Sequence, residues 1–263
     1  MRHVVMWSGG ITSWATARHV VAEHGAASTT LLFADTHAED EDLYRFNALA
    51  TAQLGVPLTR VADPRGRDPW DVFEDKRWLG NTRLAHCALE LKLKPSRDWL
   101  TQHTDPADTV LYVGLDWSEP QRIPENRAGW APWTVKYPLT EPPYRDKDQL
   151  RAEARTAGLP DPRLYRLGFA HNNCGGACVK GGQAQWVRLL AVFPDRYARA
   201  ERAERKMRRL LGKDVSILRD RTGGQTRPLT LTALRQRIEQ QPEQLDLFDE
   251  GGCGCFTTMA DAA

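Results

Sequence analysis

Residues 3–13 read His3-Val4-Val5-Met6-Trp7-Ser8-Gly9-Gly10-Ile11-Thr12-Ser13. An apolar run meets a glycine pair, and hydroxyl side chains follow. The run has the length of a buried strand, the glycines suit a tight turn, and a helix opens behind them. Such a turn directs several backbone N–H groups and a helix N-terminus at one point, which suits a phosphate. Ser8, Thr12 and Ser13 add hydroxyl donors. No Gly-Lys-Ser/Thr ending follows, so this is not the common P-loop. The same residues also fit a Gly-rich turn that holds no ligand.

Outward from this loop, strand and helix patterns alternate. Short apolar runs at 2–7, 29–34, 57–62 and 109–115 read as strands covered on both faces. Helical patterns fill 12–24, 40–54 and 84–102. This alternation predicts an α/β fold: a parallel twisted sheet with right-handed crossovers and helices on both faces. Ligands of such sheets lie beyond the carboxyl ends of the strands. Three candidate strand ends are the Ser-Gly-Gly loop, Ala34-Asp35-Thr36-His37 and Gly114-Leu115-Asp116.

Residues 117–145 are rich in Pro and Trp and read as ordered loop, with a short strand near Thr134–Tyr137. A helix is expected at 146–157, stopped by Gly158 and Pro160, and another from about 182, divided at Pro194. The chain divides into a nucleotide-binding α/β domain (1–165), a cysteine-containing basic helical region (166–238) and a flexible acidic tail (239–263) that contains Cys253-Gly254-Cys255.

The chain has 263 residues, five cysteines and a formal charge of +2. No run approaches the ~18 apolar residues of a membrane span. No export leader is evident, so a cytoplasmic protein with no membrane partner is expected. An odd cysteine count, with four in two short clusters, favours an intracellular metal or redox site over a disulfide framework. Residues 196–237 hold thirteen Lys or Arg against four carboxylates. This block suits a nucleic-acid partner or, equally, a solvated helix face.

Several residues have the chemistry of a site. Asp35 and Thr36 suit a ribose hydroxyl or a magnesium ion, or the cap of the helix near 40. Arg83 and Lys92 suit phosphate. Cys87, on an amphipathic helix, also fits a small buried hydrophobe. Cys174-Gly175-Gly176-Ala177-Cys178 lets two sulfurs face one metal. A zinc site could combine Cys174, Cys178, His171 and one of Cys253 or Cys255. The same cysteines also fit a redox pair without metal.

The loop at Ser8–Ser13 resembles the Ser-Gly-Gly-x-Asp-Ser pyrophosphate loop of the PP-loop ATPases, the adenine nucleotide alpha hydrolases. Thr12 stands where most of that superfamily has Asp. The Arg83-x-x-x-Cys87 segment running to Leu91-Lys92, then Gly114-Leu115-Asp116 through Arg122-Ile123, and Tyr137-Pro138-Leu139 follow the motif order of the phosphoadenosine phosphosulfate (PAPS) reductase-like branch. The resemblance spans roughly residues 1–200. It implies a Rossmann-like fold binding ATP or a sulfonucleotide, with Mg2+. Ser8, Gly9, Gly10, Thr12 and Ser13 would grip the phosphates, with Asp35, Thr36, Arg83, Lys92, Gly114, Asp116 and Arg122 as further nucleotide contacts. Thr12, Asp35, Arg122 and Cys255 would be the catalytic residues. Cys87, Cys174 and Cys178 would be the three ligands of a [4Fe-4S] cluster, as in PP-loop sulfur-transfer enzymes.

Three activities follow from that resemblance. The leading one is ATP-dependent adenylation of a substrate for sulfur transfer, with a nucleic acid or nucleotide as acceptor. The alternative is a sulfonucleotide reductase with a cysteine nucleophile; the Glu250–Cys255 stretch matches that branch's C-terminal motif poorly. The third is nucleotide binding without turnover, which the Thr12 departure motivates. A homodimer is compatible with all three.

Overall fold

The computed structural model of the protein describes residues 1–81, 84–221 and 224–240. The apolar runs form β1 (Arg2–Trp7), β2 (Thr29–Asp35), β3 (Leu58–Ala62), β4 (Thr109–Tyr112) and β5 (Thr134–Lys136). They make one five-stranded sheet in the order β3-β2-β1-β4-β5, and every pairing is parallel. The intervening helices are α1 (Ile11–His24), α2 (Glu41–Leu54), α3 (Pro69–Lys76), α4 (His86–Ala88), α5 (Lys94–His103), α6 (Ile123–Trp130) and α7 (Lys147–Thr156). The expected α/β architecture, helices on both faces of a parallel sheet, is what the chain adopts.

Alternation along the strands divides the core in two. Val5, Trp7, Phe33 and Tyr112 face one side, under α1, α2 and α7. Val4, Met6, Leu32 and Leu111 face the other, under α5 and α6. Local signals set the helix starts. Asp40 accepts from the Asp42 N–H ahead of α2, and capping boxes open α3 (Asp68, Asp71) and α7 (Asp146, Gln149).

One helix departs from its sequence pattern. The expected run over 84–102 begins as α4, widens to π-helical turns at Leu89–Leu93 and resumes as α5. Pro95 supplies the reason. It has no N–H to donate to the residue 91 carbonyl, and its ring crowds that carbonyl.

Beyond the sheet come α8 (Arg163–Arg166), α9 (Gln183–Val192), α10 (Pro194–Leu211), the antiparallel pair β6 (Leu218–Asp220) and β7 (Arg227–Leu229), and α11 (Leu231–Gln240). Pro194 does divide α9 from α10. Trp186, Tyr197, Met207, Leu218 and Leu234 build a separate core that also takes in Phe73 of α3. The buried Glu204 carboxylate ties it together, accepting from the backbone N–H of Ile217 (2.9 Å) and Leu231 (2.7 Å). Among the described residues no helix is long and apolar enough to cross a membrane.

Candidate functional site

The site lies at the carboxyl ends of β1, β2 and β4. The chain leaves β1 at Trp7 and turns through Gly9, whose φ of +73° is left-handed backbone that favours glycine. Gly10 then caps α1 without a side-chain hydrogen bond. Ser13 Oγ donates to the Gly10 carbonyl (2.8 Å), and Asn172 Nδ2 donates to the Gly9 carbonyl (2.8 Å). These contacts fix the carbonyls inward and leave the first turn of α1 facing a cleft. Ser8, Gly10, Thr12 and Ser13 line that cleft on one side. Gly114 closes it from β4. A Cβ there would stand 3.0 Å from the carbonyl carbon and oxygen of Thr12, so glycine is what allows β4 so near α1.

Arg122, Lys147 and His171 also border the cleft, and the Tyr165 hydroxyl sits on the loop itself, accepting from the Ile11 N–H (3.3 Å). Arg122 forms a close ion pair with Glu119, the one carboxylate that lines the cleft among the described residues. Asn172 Oδ1 is buried, borders the same cleft and accepts no hydrogen bond among the described residues. A buried acceptor without a protein donor has its hydrogen-bonding capacity open to a donor from within the cleft, water or ligand.

The end of β2 is built differently from its sequence reading. Asp35 is fully buried. Its carboxylate pairs with Arg60 (2.7 Å), accepts from the Tyr44 hydroxyl (2.9 and 3.0 Å) and accepts from the His37 N–H (2.9 Å). Burial, then Asp35, pushes the Tyr44 hydroxyl far above its usual pKa, so it stays a donor. The cap of α2 is Asp40, not Asp35 or Thr36. Thr36 donates to Glu39 Oε1 (3.0 Å).

Glu39 joins this end to the cysteines. Its buried carboxylate pairs with the buried Lys92 ammonium (3.6 Å) and accepts from the Cys174 N–H (2.6 Å). Cys174, Gly175 and Gly176 have successive φ values of +48°, +56° and +84°. This left-handed curl, costly at Cys174 for its Cβ, folds the segment back so that Cys174 and Cys178 hydrogen-bond to each other. That bond, then burial, pushes the Cys174 thiol well above its usual pKa. Cys87 arrives from α4. Thr36, Cys87, Lys92, Cys174, Cys178 and Lys180 border one cavity. A wider opening on its outer side is lined by Trp70, Arg196 and Arg199 together with the three cysteines. Among the described residues no three His, Cys, Asp or Glu side chains stand close enough to hold a single metal ion.

The segment 171–178 links the two cavities, because Asn173 lines both. Ser8, Gly10, Thr12, Ser13, Gly114 and Arg122 meet around the first, with Gly9 in its turn. Thr36, Lys92 and the three cysteines meet around the second. Lys92 thus sits with Glu39 rather than among the residues lining the loop cleft. Asp116 is turned aside: its carboxylate accepts from the Ser118 N–H (2.9 Å) and hydroxyl (2.5 Å). Arg83, Cys253 and Cys255 lie outside the described residues. Sequence reading missed Glu39, Lys147, Tyr165 and Asn172 as parts of the site. Glu39 and Asn172 lie two residues from stretches that do stand out, Asp35-Thr36-His37 and Cys174–Cys178, but their own spacing marks no role, and Lys147 and Tyr165 lie in helices with no motif around them.

No protein-family model and no curated protein sequence matches the chain. Among solved structures, the chain is similar to a phosphoadenylyl-sulfate (PAPS) reductase from Candida auris, crystallised as a phosphate complex. The two share 14% identity over 66% of this chain and 81% of that one, with a TM-score of 0.49.

Proposed function

We propose that the chain is a nucleotide-binding enzyme of the PP-loop type, which binds ATP at the Ser8–Ser13 loop and activates a substrate for sulfur chemistry at the cysteines. The observation that carries this reading is the orphaned Asn172 Oδ1, buried beside a phosphate-type loop and open to a donor such as a ribose hydroxyl. The α1 N-terminus and the Ser8, Thr12 and Ser13 hydroxyls would hold the phosphates. Arg122 and Lys147, which border the same cleft, would neutralise them. A substrate oxygen would attack the α-phosphorus with loss of pyrophosphate, and sulfide delivered at the cysteines would then attack the activated carbon, forming a C–S bond as the C–O bond breaks and AMP leaves. Most of the rate gain would come from positioning and charge neutralisation.

The loop lacks the usual Asp at Thr12, and Glu119 is the carboxylate available to a magnesium ion, which would polarise the phosphates. Mg2+ takes one or two carboxylates plus phosphate oxygens, so the donor set fits. Its binding there would free Arg122 for phosphate. The Cys87, Cys174 and Cys178 thiols border one cavity, and an iron–sulfur cluster held by these three thiolates would carry sulfide or electrons when bound.

The test is ATP binding by calorimetry, followed by pyrophosphate release with candidate acceptors under anaerobic conditions. Binding by the wild type, weakened about 10–100-fold in Arg122→Ala, is expected. A folded wild type that binds neither ATP nor AMP overturns the reading. The hydrogen-bonded Cys174–Cys178 pair favours a second reading, a sulfonucleotide reductase. Sulfite release from PAPS with a thiol reductant, abolished in Cys174→Ser and without any need for ATP, would select it.

A further inference from the structure

One face of α10 is packed and the other is bare. Tyr197, Ala200, Glu201, Glu204 and Met207 are buried. Arg199, Arg202, Arg205, Lys206 and Arg209 are exposed. The packing therefore sorts the charges. Two of the four carboxylates that offset the basic block in sequence point inward, Glu204 to backbone N–H groups and Glu201 to Arg235. Between residues 199 and 209 the outer face has no acidic residue. Of its five cations only Lys206 is ion-paired among the described residues, with Glu74. Such a stripe repels itself and gains from an anionic partner.

Its position gives the stripe a direction. At its start, Arg196 and Arg199 line the opening onto the three cysteines, where Trp70 also stands. Past its far end, Trp78, 43% exposed, lines a second cleft with Lys213 and Arg219. Arg199 to Arg209 spans about 15 Å of helix, long enough to follow several phosphates of one strand.

We propose that this face of α10 docks single-stranded nucleic acid, whose backbone follows the arginines and whose end nucleotide enters the cysteine-lined opening. The proposal rests on the sulfur-chemistry reading above and names its acceptor. Phosphates supply the affinity, independent of sequence. Indoles at both ends favour an unpaired strand, because only unpaired bases offer free faces for stacking.

Fluorescence anisotropy of the full chain with labelled RNA and DNA 12-mers, their duplexes, heparin and anionic phosphatidylserine vesicles, at 50–200 mM salt, tests it. The variant combines Arg202→Ala, Arg205→Ala and Arg209→Ala, all exposed, with its fold checked by circular dichroism. Losing three contacts at ~0.7 in slope each should lower the salt slope by about 2 and single-strand affinity about 100-fold at 0.1 M salt. Trp70→Leu should weaken single strands several-fold with the slope unchanged. Unchanged slope and affinity in the triple variant, or duplex, heparin or vesicles bound as tightly as single strands, overturns the proposal. ATP binding separates the two readings. ATP bound without strands refutes this surface alone, and strands bound without ATP refutes the nucleotide reading alone.

Discussion

Alanine at Gly9 attacks the loop at its tightest point. The residue has φ of +73°, and the left-handed region disfavours a side chain by about 1–2 kcal/mol. The new Cβ would stand 2.8 Å from Leu43 Cγ and 2.9 Å from Asn47 Oδ1. Leu43 and Asn47 are both buried, so neither can swing away, and overpacking of this kind costs about 1–3 kcal/mol. Asn47 Oδ1 also accepts from Trp7 Nε1 at 2.8 Å, a buried hydrogen bond worth about 1 kcal/mol. These contributions overlap, so a total of about 3–5 kcal/mol is expected. Gly55 gives the comparison. It is also left-handed, with φ of +66°, but nothing lies within 4 Å of its Cβ position. Gly55→Ala should therefore carry the backbone cost alone, about 1–2 kcal/mol. At roughly 2–4 °C per kcal/mol for a domain of this size, Gly9→Ala should lower Tm by about 6–20 °C and Gly55→Ala by about 2–8 °C. Thermal melts and urea titrations of both variants measure this, with ATP affinity taken well below each Tm. Equal destabilisation of the two would refute the packing argument. Full ATP affinity in Gly9→Ala would refute the role of the loop.

Glu204→Ala leaves the Ile217 and Leu231 N–H groups buried without acceptors. It should cost about 2–5 kcal/mol, with hydrogen exchange rising first in β6 and α11. Arg67 holds the buried Asp63 at a pKa of about 2, below its ordinary 3.8, chiefly through side-chain hydrogen bonds. The depressed folded value means this stabilisation is complete above pH 4 and is lost as pH falls toward 2. Arg67→Ala should remove about 2 kcal/mol at pH 7 and flatten the acid limb of a stability–pH curve. Arg122→Ala should weaken ATP binding by about 10–100-fold, the value of a charge-assisted hydrogen bond. An unchanged calorimetric Kd would take Arg122 out of the phosphate site.

The sequence by itself determined the strands, most of the helices and the loop. Their signals are local: apolar runs of strand length, capping Asp residues, the Gly9-Gly10 turn and the Pro194 break. Even the departure at Leu89–Leu93 has a local cause in Pro95. The tertiary structure decided which polar groups are available. Asp35 looks like a ligand in sequence, yet packing spends its carboxylate on Arg60 and Tyr44. Lys92 reads as a phosphate contact and becomes the partner of Glu39. Cys87 and the Cys174–Cys178 pair are far apart in the chain, and only the crossover of α4 against the 171–178 segment brings them to one cavity. The basic block read as nearly featureless charge until helix packing turned Glu201 and Glu204 inward and left the arginines outside. Periodicity and turn chemistry act over a few residues, so they are legible in one dimension. Burial and pairing depend on neighbours contributed by distant segments, which the sheet order and the layered cores supply.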